Sequence, residues 1–292
     1  MRTELACLPC FFRQVSRTLA YAGVNGERGR EITRTAGRII EGASLAQAPA
    51  RISTLLHRLI RSSTGVDPYQ GVKETYNRIA LDQLPAVRLM TGPDAGERER
   101  LAGAVRAAIA GNIIDFGIYD RIDLARSLQE AFQLPLPQPA FRQFSDAVSA
   151  ARNILYLCDN AGEIVFDRIL IEELRQRGRK VTAVVKGVPV INDATMEDAR
   201  AAGLPESADR VIDNGNDGIG TLLELCSDAF LAAYRAADLI ISKGQANYET
   251  LAPERDGRTF FLFKVKCPVV ADALGMHEGD IVLQGPGRQE GR

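Results

Sequence analysis

The sequence predicts an α/β fold, with a mostly parallel sheet in the second half of the chain and a helical first half. Three observations carry this. Five short apolar runs, at 154–158, 181–185, 211–212, 239–242 and 260–263, are separated by helix-length stretches. Buried parallel strands joined by crossover helices read this way. Before about residue 150 the apolar residues recur instead at helical spacing, as in Ile52, Leu55, Leu56, Leu59 and Ile60. Lastly, each apolar run ends in acids, amides, lysines or glycines. Those ends share one rim of a parallel sheet, where ligands bind.

In chain order, amphipathic helices are expected at 10–22 and 29–42, and again at 51–61 behind Pro49. Asp67-Pro68-Tyr69 marks a turn or helix start. Helical patterning continues at 72–88 and 97–110, and Gly111-Asn112 is expected to break it. The proline-rich stretch 134–139 reads as a stiff link, so the chain divides into a helical part, 1–145, and an α/β part, 146–292. In the second part helices are expected at 162–177, 192–203, 217–237 and 246–255, an edge strand at 281–283 and a polar, glycine-rich tail from 285. No internal repeat at a fixed period is present.

The 292 residues can bury a substantial core. Lysine and arginine number 36 against 37 acids, a net charge of −1. No global basic field therefore argues for nucleic acid or an anionic membrane. No apolar run approaches the roughly 20 residues that span a bilayer, and the first residues lack a signal pattern, so a cytoplasmic protein is expected. The five cysteines, an odd count, do not form a disulfide scaffold. Cys158 is expected in a strand and Cys226 in an apolar helix, both as buried small hydrophobes. With only His57 and His277 as histidines, any catalytic metal is tilted toward oxygen ligands.

Six constellations are candidates for chemistry. Asp159-Asn160-Ala161-Gly162-Glu163 follows the first strand. An N-cap needs only one such residue, whereas a hard divalent cation uses both a carboxylate and an amide oxygen. Asn192-Asp193-Ala194-Thr195 offers either a helix cap or a third ligand, with Lys186 before it as a phosphate contact or a solvated lysine. Lys243-Gly244-Gln245-Ala246-Asn247 lets backbone approach an anion at a helix start. The glycine-rich stretch 215–221 matches no dinucleotide fingerprint, but its N–H groups could hold phosphate oxygens. Asn112 and Asp115 form either a local cap or a polar closure over the site. Finally, Cys7 and Cys10 have a metal or redox spacing, which Cys267 might complete in space.

Taken in order, Cys7-x-x-Cys10, Asp67-Pro68-Tyr69 with Lys73 and Asn77, Gly111-Asn112-x-x-Asp115, 159–163, 192–195, 242–249 and 264–268 make a specific set. The chain resembles the damage-control phosphatase family, catalogued as domain of unknown function 89, and in particular its prokaryotic branch with an N-terminal cysteine pair. The resemblance covers nearly the whole chain. It implies a three-layer α/β/α sandwich with a Rossmann-like sheet and a helical N-terminal subdomain. It also implies a metal-dependent phosphatase of small phosphorylated metabolites, using manganese, magnesium, cobalt or nickel. By motif match the metal ligands would be Asp159, Asn160 and Asp193. Lys243 would bind phosphate, with Asn112 and Asp115 lining the site and Glu163 nearby. Asp159 or Asp193 would serve as ligand and as base. Two other readings stay open: a carboxyl methyltransferase using S-adenosylmethionine, and a non-catalytic metal or redox module built on Cys7 and Cys10.

Overall fold

The computed structural model describes residues 1–113 and 124–286. Helices α1 (Cys7–Tyr21), α2 (Gly26–Gly42) and α3 (Pro49–Thr64) open the chain. Each turns a stripe of every fourth residue inward. Phe11, Val15 and Leu19 pack with Ile32, Ala36 and Ile40 and with Ile52, Leu56 and Ile60. Pro49 starts α3, and Gly65 ends it in the left-handed region at φ 74°. Next come α4 (Gln70–Met90), α5 (Glu97–Ile113), α6 (Leu124–Gln133) and α7 (Gln138–Ala150).

The sheet holds β1 (Asn153–Leu157), β2 (Lys180–Val185), β3 (Arg210–Asp213), β4 (Leu239–Lys243), β5 (Thr259–Lys264) and β6 (Ile281–Gln284), in the order β3-β2-β1-β4-β5-β6. The first five are parallel, and β6 runs antiparallel at the edge, where the edge strand was expected. The connecting helices are α8 (Glu163–Gln176), α9 (Met196–Ala201), α10 (Leu204–Ser207), α11 (Asp228–Ala236), α12 (Gln245–Leu251) and α13 (Pro268–Leu274).

The strand period of two creates the three layers. Ile154, Tyr156, Leu239, Ile241, Phe260 and Leu262 point to one face, with Leu101, Val105 and Ile109 of α5, Phe141 and Phe144 of α7 and Phe166 and Leu170 of α8. Their chain neighbours Leu155, Leu157, Ile240, Phe261 and Phe263 point to the other, with Phe230 of α11, Tyr248 of α12 and Val270 of α13. The first face is thus covered largely by helices from before residue 150, and the expected division at 145/146 falls inside α7.

Four expectations need correction. Gly111 and Asn112 do not break α5 but lie in its last turn. Glycine suits position 111 because α5 crosses α8 closely: a Cβ there would lie 3.2 Å from Glu163 and Phe166. The helix expected from 192 starts at 196, because residues before it pair with the end of β1. The stretch 217–237 is not one helix. It is a loop, a short 3-10 turn (Leu223–Leu225) and α11, which Ser227 caps by accepting from the Phe230 N–H. Cys226 therefore sits in a link, not in a helix. Finally, α13 was not expected.

The order 3-2-1-4-5 reverses direction between β1 and β4. That makes a crevice beyond their carboxyl ends. Helix α3 lies over the neighbouring rim loops: the Ile219 N–H donates to Thr54 Oγ1, and Arg61 donates to the Pro189 carbonyl. Among the described residues no helix is long and apolar enough to cross a membrane.

Candidate metal centre

Asp159 and Asn160 follow β1 directly. The segment 192–195, after β2, is stitched to them. The Ala194 N–H donates to the Asp159 carbonyl at 2.8 Å, the Ala161 N–H donates to the Asn192 carbonyl at 2.9 Å, and Asn160 and Asp193 pair as a single antiparallel bridge. This stitching brings carboxylates from two loops together. Ile191, just before it, has φ 45°. A β-branched residue in that region is strained, and such strain collects at functional sites.

None of Asp159, Asn160 and Asp193 caps a helix. The N-cap of α8 is Gly162, without a side-chain cap. At α9 the cap is Thr195 in a capping box with Asp198, which leaves Asp193 free of that task. Asp198 also accepts from Lys73 and Asn77, and Asn77 Oδ1 accepts the Gly162 N–H at 2.7 Å, so α4 braces both loops.

Each of the three side chains keeps one oxygen open. Asp159 Oδ2 accepts from Asn160 Nδ2 at 2.7 Å and Asn112 Nδ2 at 3.1 Å. Asp193 Oδ2 pairs with Lys186 at 3.4 Å. Among the described residues, Oδ1 of Asp159, Asn160 and Asp193 takes no hydrogen bond. All three residues line one cleft of about 670 Å³. A larger groove of about 1290 Å³ lies elsewhere and holds neither aspartate.

Burial pushes the Asp159 carboxyl well above its usual range, and Glu163 and Asp193 push it the same way. Burial also raises Asp193, against the opposing charges of Lys186 and Lys73. Burial raises Asp167 as well, to about 6, with Lys243 opposing. Crowded, raised carboxylates are the setting that a bound cation relieves. The donors are oxygens only, which suits a hard divalent cation. Gly244, at φ 84°, completes the cradle: a Cβ there would fall 2.1 Å from the Asp159 carboxyl. Thus the residues present fit such an ion. Among the described residues no three His, Cys, Asp or Glu side chains gather around one point.

The other expected residues take several places. Lys243 is fully buried, its Nζ bonded to Glu163 Oε1 at 2.5 Å, Asp167 Oδ1 at 2.6 Å and the Ala108 carbonyl at 2.8 Å. Lys186 donates to the Gly218 and Gly220 carbonyls. Asn247 is consumed by the Lys243 carbonyl and by Thr221 Oγ1. Asn112 reaches the site from α5, bonding Asp159 and Glu163. Asp115 lies outside the described residues. The stretch 215–221 does not offer a phosphate cradle: the N–H groups of Gly215, Asn216, Gly218, Ile219 and Thr221 all donate to side chains. Cys7, Cys10 and Cys267 are free thiols on the cleft's wall.

Sequence reasoning missed Lys266 as a site residue. It is exposed, lines the cleft, and lowers the pKa of both Asp159 and Glu163 by its charge. The signal was there in its position just past the end of β5, on the same rim.

Comparison with known proteins shows the family and the fold. The profile of the Damage-control phosphatase ARMT1-like domain matches residues 3–282. The chain is 40% identical over 285 residues to an uncharacterized protein of Methanocaldococcus jannaschii, covering 95% of this chain and 93% of that one. It is 36% identical over 256 residues to a damage-control phosphatase of Archaeoglobus fulgidus, covering 84% and 85%. It is 34% identical over 289 residues to a damage-control phosphatase of Pyrococcus horikoshii, covering 97% of each. The crystal structure of a DUF89 family protein from Pyrococcus horikoshii superposes with a TM-score of 0.89 at 32% identity, covering 98% of this chain and 100% of that one. With family profile, fold and similarity over most of the chain in agreement, the chain belongs to the damage-control phosphatase ARMT1-like family.

Proposed function

We propose that this protein is a divalent-metal-dependent phosphatase acting on phosphate monoesters of small metabolites. The observation that carries the reading is that Asp159, Asn160 and Asp193, on two loops stitched together after β1 and β2, line one cleft at the sheet's switch point. Those three residues are the metal ligands in this reading. A manganese, magnesium, cobalt or nickel ion held there supplies Lewis acidity toward a phosphoryl oxygen and lowers the pKa of bound water.

The chain's own groups divide the remaining work. Lys266 lines the cleft and has no ion pair among the described residues, so it is a cation available to a phosphate, with Arg13 and Arg17 on the same cleft's wall. Lys186 offsets the charge of Asp193 from below. Lys243 offsets Glu163 and Asp167 within the protein. Asp159 and Asp193, whose carboxyls are held above their usual range, are the groups placed to take a proton from an attacking water. Tyr21, Tyr69 and Tyr76 line the same cleft and face the substrate's organic part.

The test is phosphate release from a panel of phosphorylated metabolites, using metal-stripped protein with each cation restored singly. Activity that returns with a metal and is absent in Asp159→Ala supports the reading. A fully active Asp159→Ala protein would sink it.

A further inference from the structure

The Asn160 side chain is ambiguous as a ligand, because an amide presents either an oxygen or an NH2 group. Only the oxygen coordinates a cation. We propose that Glu163, itself locked by Lys243, sets this choice: it holds the Asn160 NH2 group so that the oxygen faces the cleft. This rests on the metal reading above. It makes Glu163 and Lys243 positioning residues, acting through Asn160.

The hydrogen bonds carry the argument. Asn160 Nδ2 donates to Asp159 Oδ2 at 2.7 Å and to Glu163 Oε2 at 3.1 Å. Asn112 Nδ2 donates to the same two oxygens, at 3.1 and 2.9 Å. The orientation of Asn112 is fixed independently, because its Oδ1 accepts the Lys264 N–H at 3.0 Å. Two carboxylate oxygens and two NH2 groups thus close a ring in which every donor faces an acceptor. Turning the Asn160 amide over would set its oxygen against both carboxylates.

Glu163 is fixed from the other side. Its Oε1 accepts from Lys243 Nζ, whose three protons go to Glu163, Asp167 and the Ala108 carbonyl. An ammonium has three donors, so Lys243 has none left for a phosphate. Asp167 is held in turn by Tyr156 Oη at 2.7 Å. The chain Tyr156–Asp167–Lys243–Glu163 is wholly buried, so the clamp is rigid before any ligand arrives. Outer groups that orient a ligand in this way are typically worth about 10–100-fold in metal affinity.

Nuclear magnetic resonance on the full-length, metal-stripped protein with asparagine labelled with carbon-13 and nitrogen-15 reads the clamp directly. The Asn160 and Asn112 NH2 protons should exchange slowly with water. Magnesium should shift the Asn160 side-chain carbonyl carbon and leave that protection in place. Fast exchange in the metal-free protein, or loss of protection when magnesium is added, overturns the proposal. The second arm is Glu163→Gln, checked for folding by circular dichroism. Its manganese affinity, measured by calorimetry, should fall about 10–100-fold and the Asn160 protection should disappear. A folded Glu163→Gln protein with unchanged affinity overturns the proposal. If the wild-type protein binds neither cation, the metal reading fails instead, and exchange in the metal-free protein still decides whether Glu163 holds Asn160.

Discussion

Gly244 stands directly against Asp159. A Cβ at position 244 would lie 2.1 Å from the Asp159 carboxyl carbon, and the backbone there has φ 84°. Two constraints therefore coincide: L side chains avoid that conformation, and no atom fits in that space. The end of β4 is shaped around the carboxylate that ends β1.

Gly244→Ala should consequently displace Asp159. We expect metal-dependent phosphate release to fall about 100-fold or more, since a shift near 1 Å at a reacting centre has that effect. Manganese affinity should fall with it. Steady-state kinetics and calorimetry on the same preparation check both, and near-normal activity would show that the cradle is not needed.

Lys266→Ala separates phosphate binding from metal binding. The side chain is exposed and makes no ion pair among the described residues, so folding should not depend on it. Loss of one charged contact to a phosphate should raise KM, and Ki for inorganic phosphate, by about ten- to a hundredfold. Manganese affinity and melting temperature should hold. An unchanged Ki would remove Lys266 from the phosphate site.

Lys243→Met should behave in the opposite way. It leaves Glu163 and Asp167 buried without their cation, and breaking such a pair costs about 3–5 kcal/mol. The expected outcome is a large drop in denaturation midpoint, not a selective change in KM. A variant of wild-type stability with weakened phosphate binding would return Lys243 to direct substrate contact.

These contrasts mark what was legible in the sequence. The parallel strands β1, β2, β4 and β5 were, because each is an apolar run buried on both faces, and even the half-buried edge strand β3 keeps a short apolar run. Asp159, Asn160 and Asp193 were legible as rim residues, and their mutual approach follows from the parallel pairing of β1 with β2. The partners of Lys243 were not. Glu163 and Asp167 lie on one turn of α8, but only the packing of α8 under β4 brings them to this ammonium. Gly111-Asn112 misled because a glycine reads locally as a break, whereas here it admits the close crossing of α5 over α8. Lys266 stood at the end of β5 in plain view, two residues from Lys264, and only the cleft distinguishes them.

His57 should make stability fall on mild acidification. The side chain is buried, its Nε2 has no hydrogen-bond partner, and burial with the nearby Arg61 charge lowers its pKa to about 4. The folded pKa lies below the unfolded value of about 6.5, so the unfolded chain binds the extra proton first. Stability from this group is present above pH 6.5 and is lost as the pH falls toward 4. At about 1.4 kcal/mol per pH unit across that window the loss is about 3 kcal/mol. Denaturant unfolding at pH 7, 6, 5 and 4 should show this slope in the wild-type protein and a flatter one in His57→Gln. Equal slopes in the two proteins would mean that His57 is already solvated in the folded state, and that α3 packs more loosely over the rim loops than its hydrogen bonds to Ile219 and Pro189 imply.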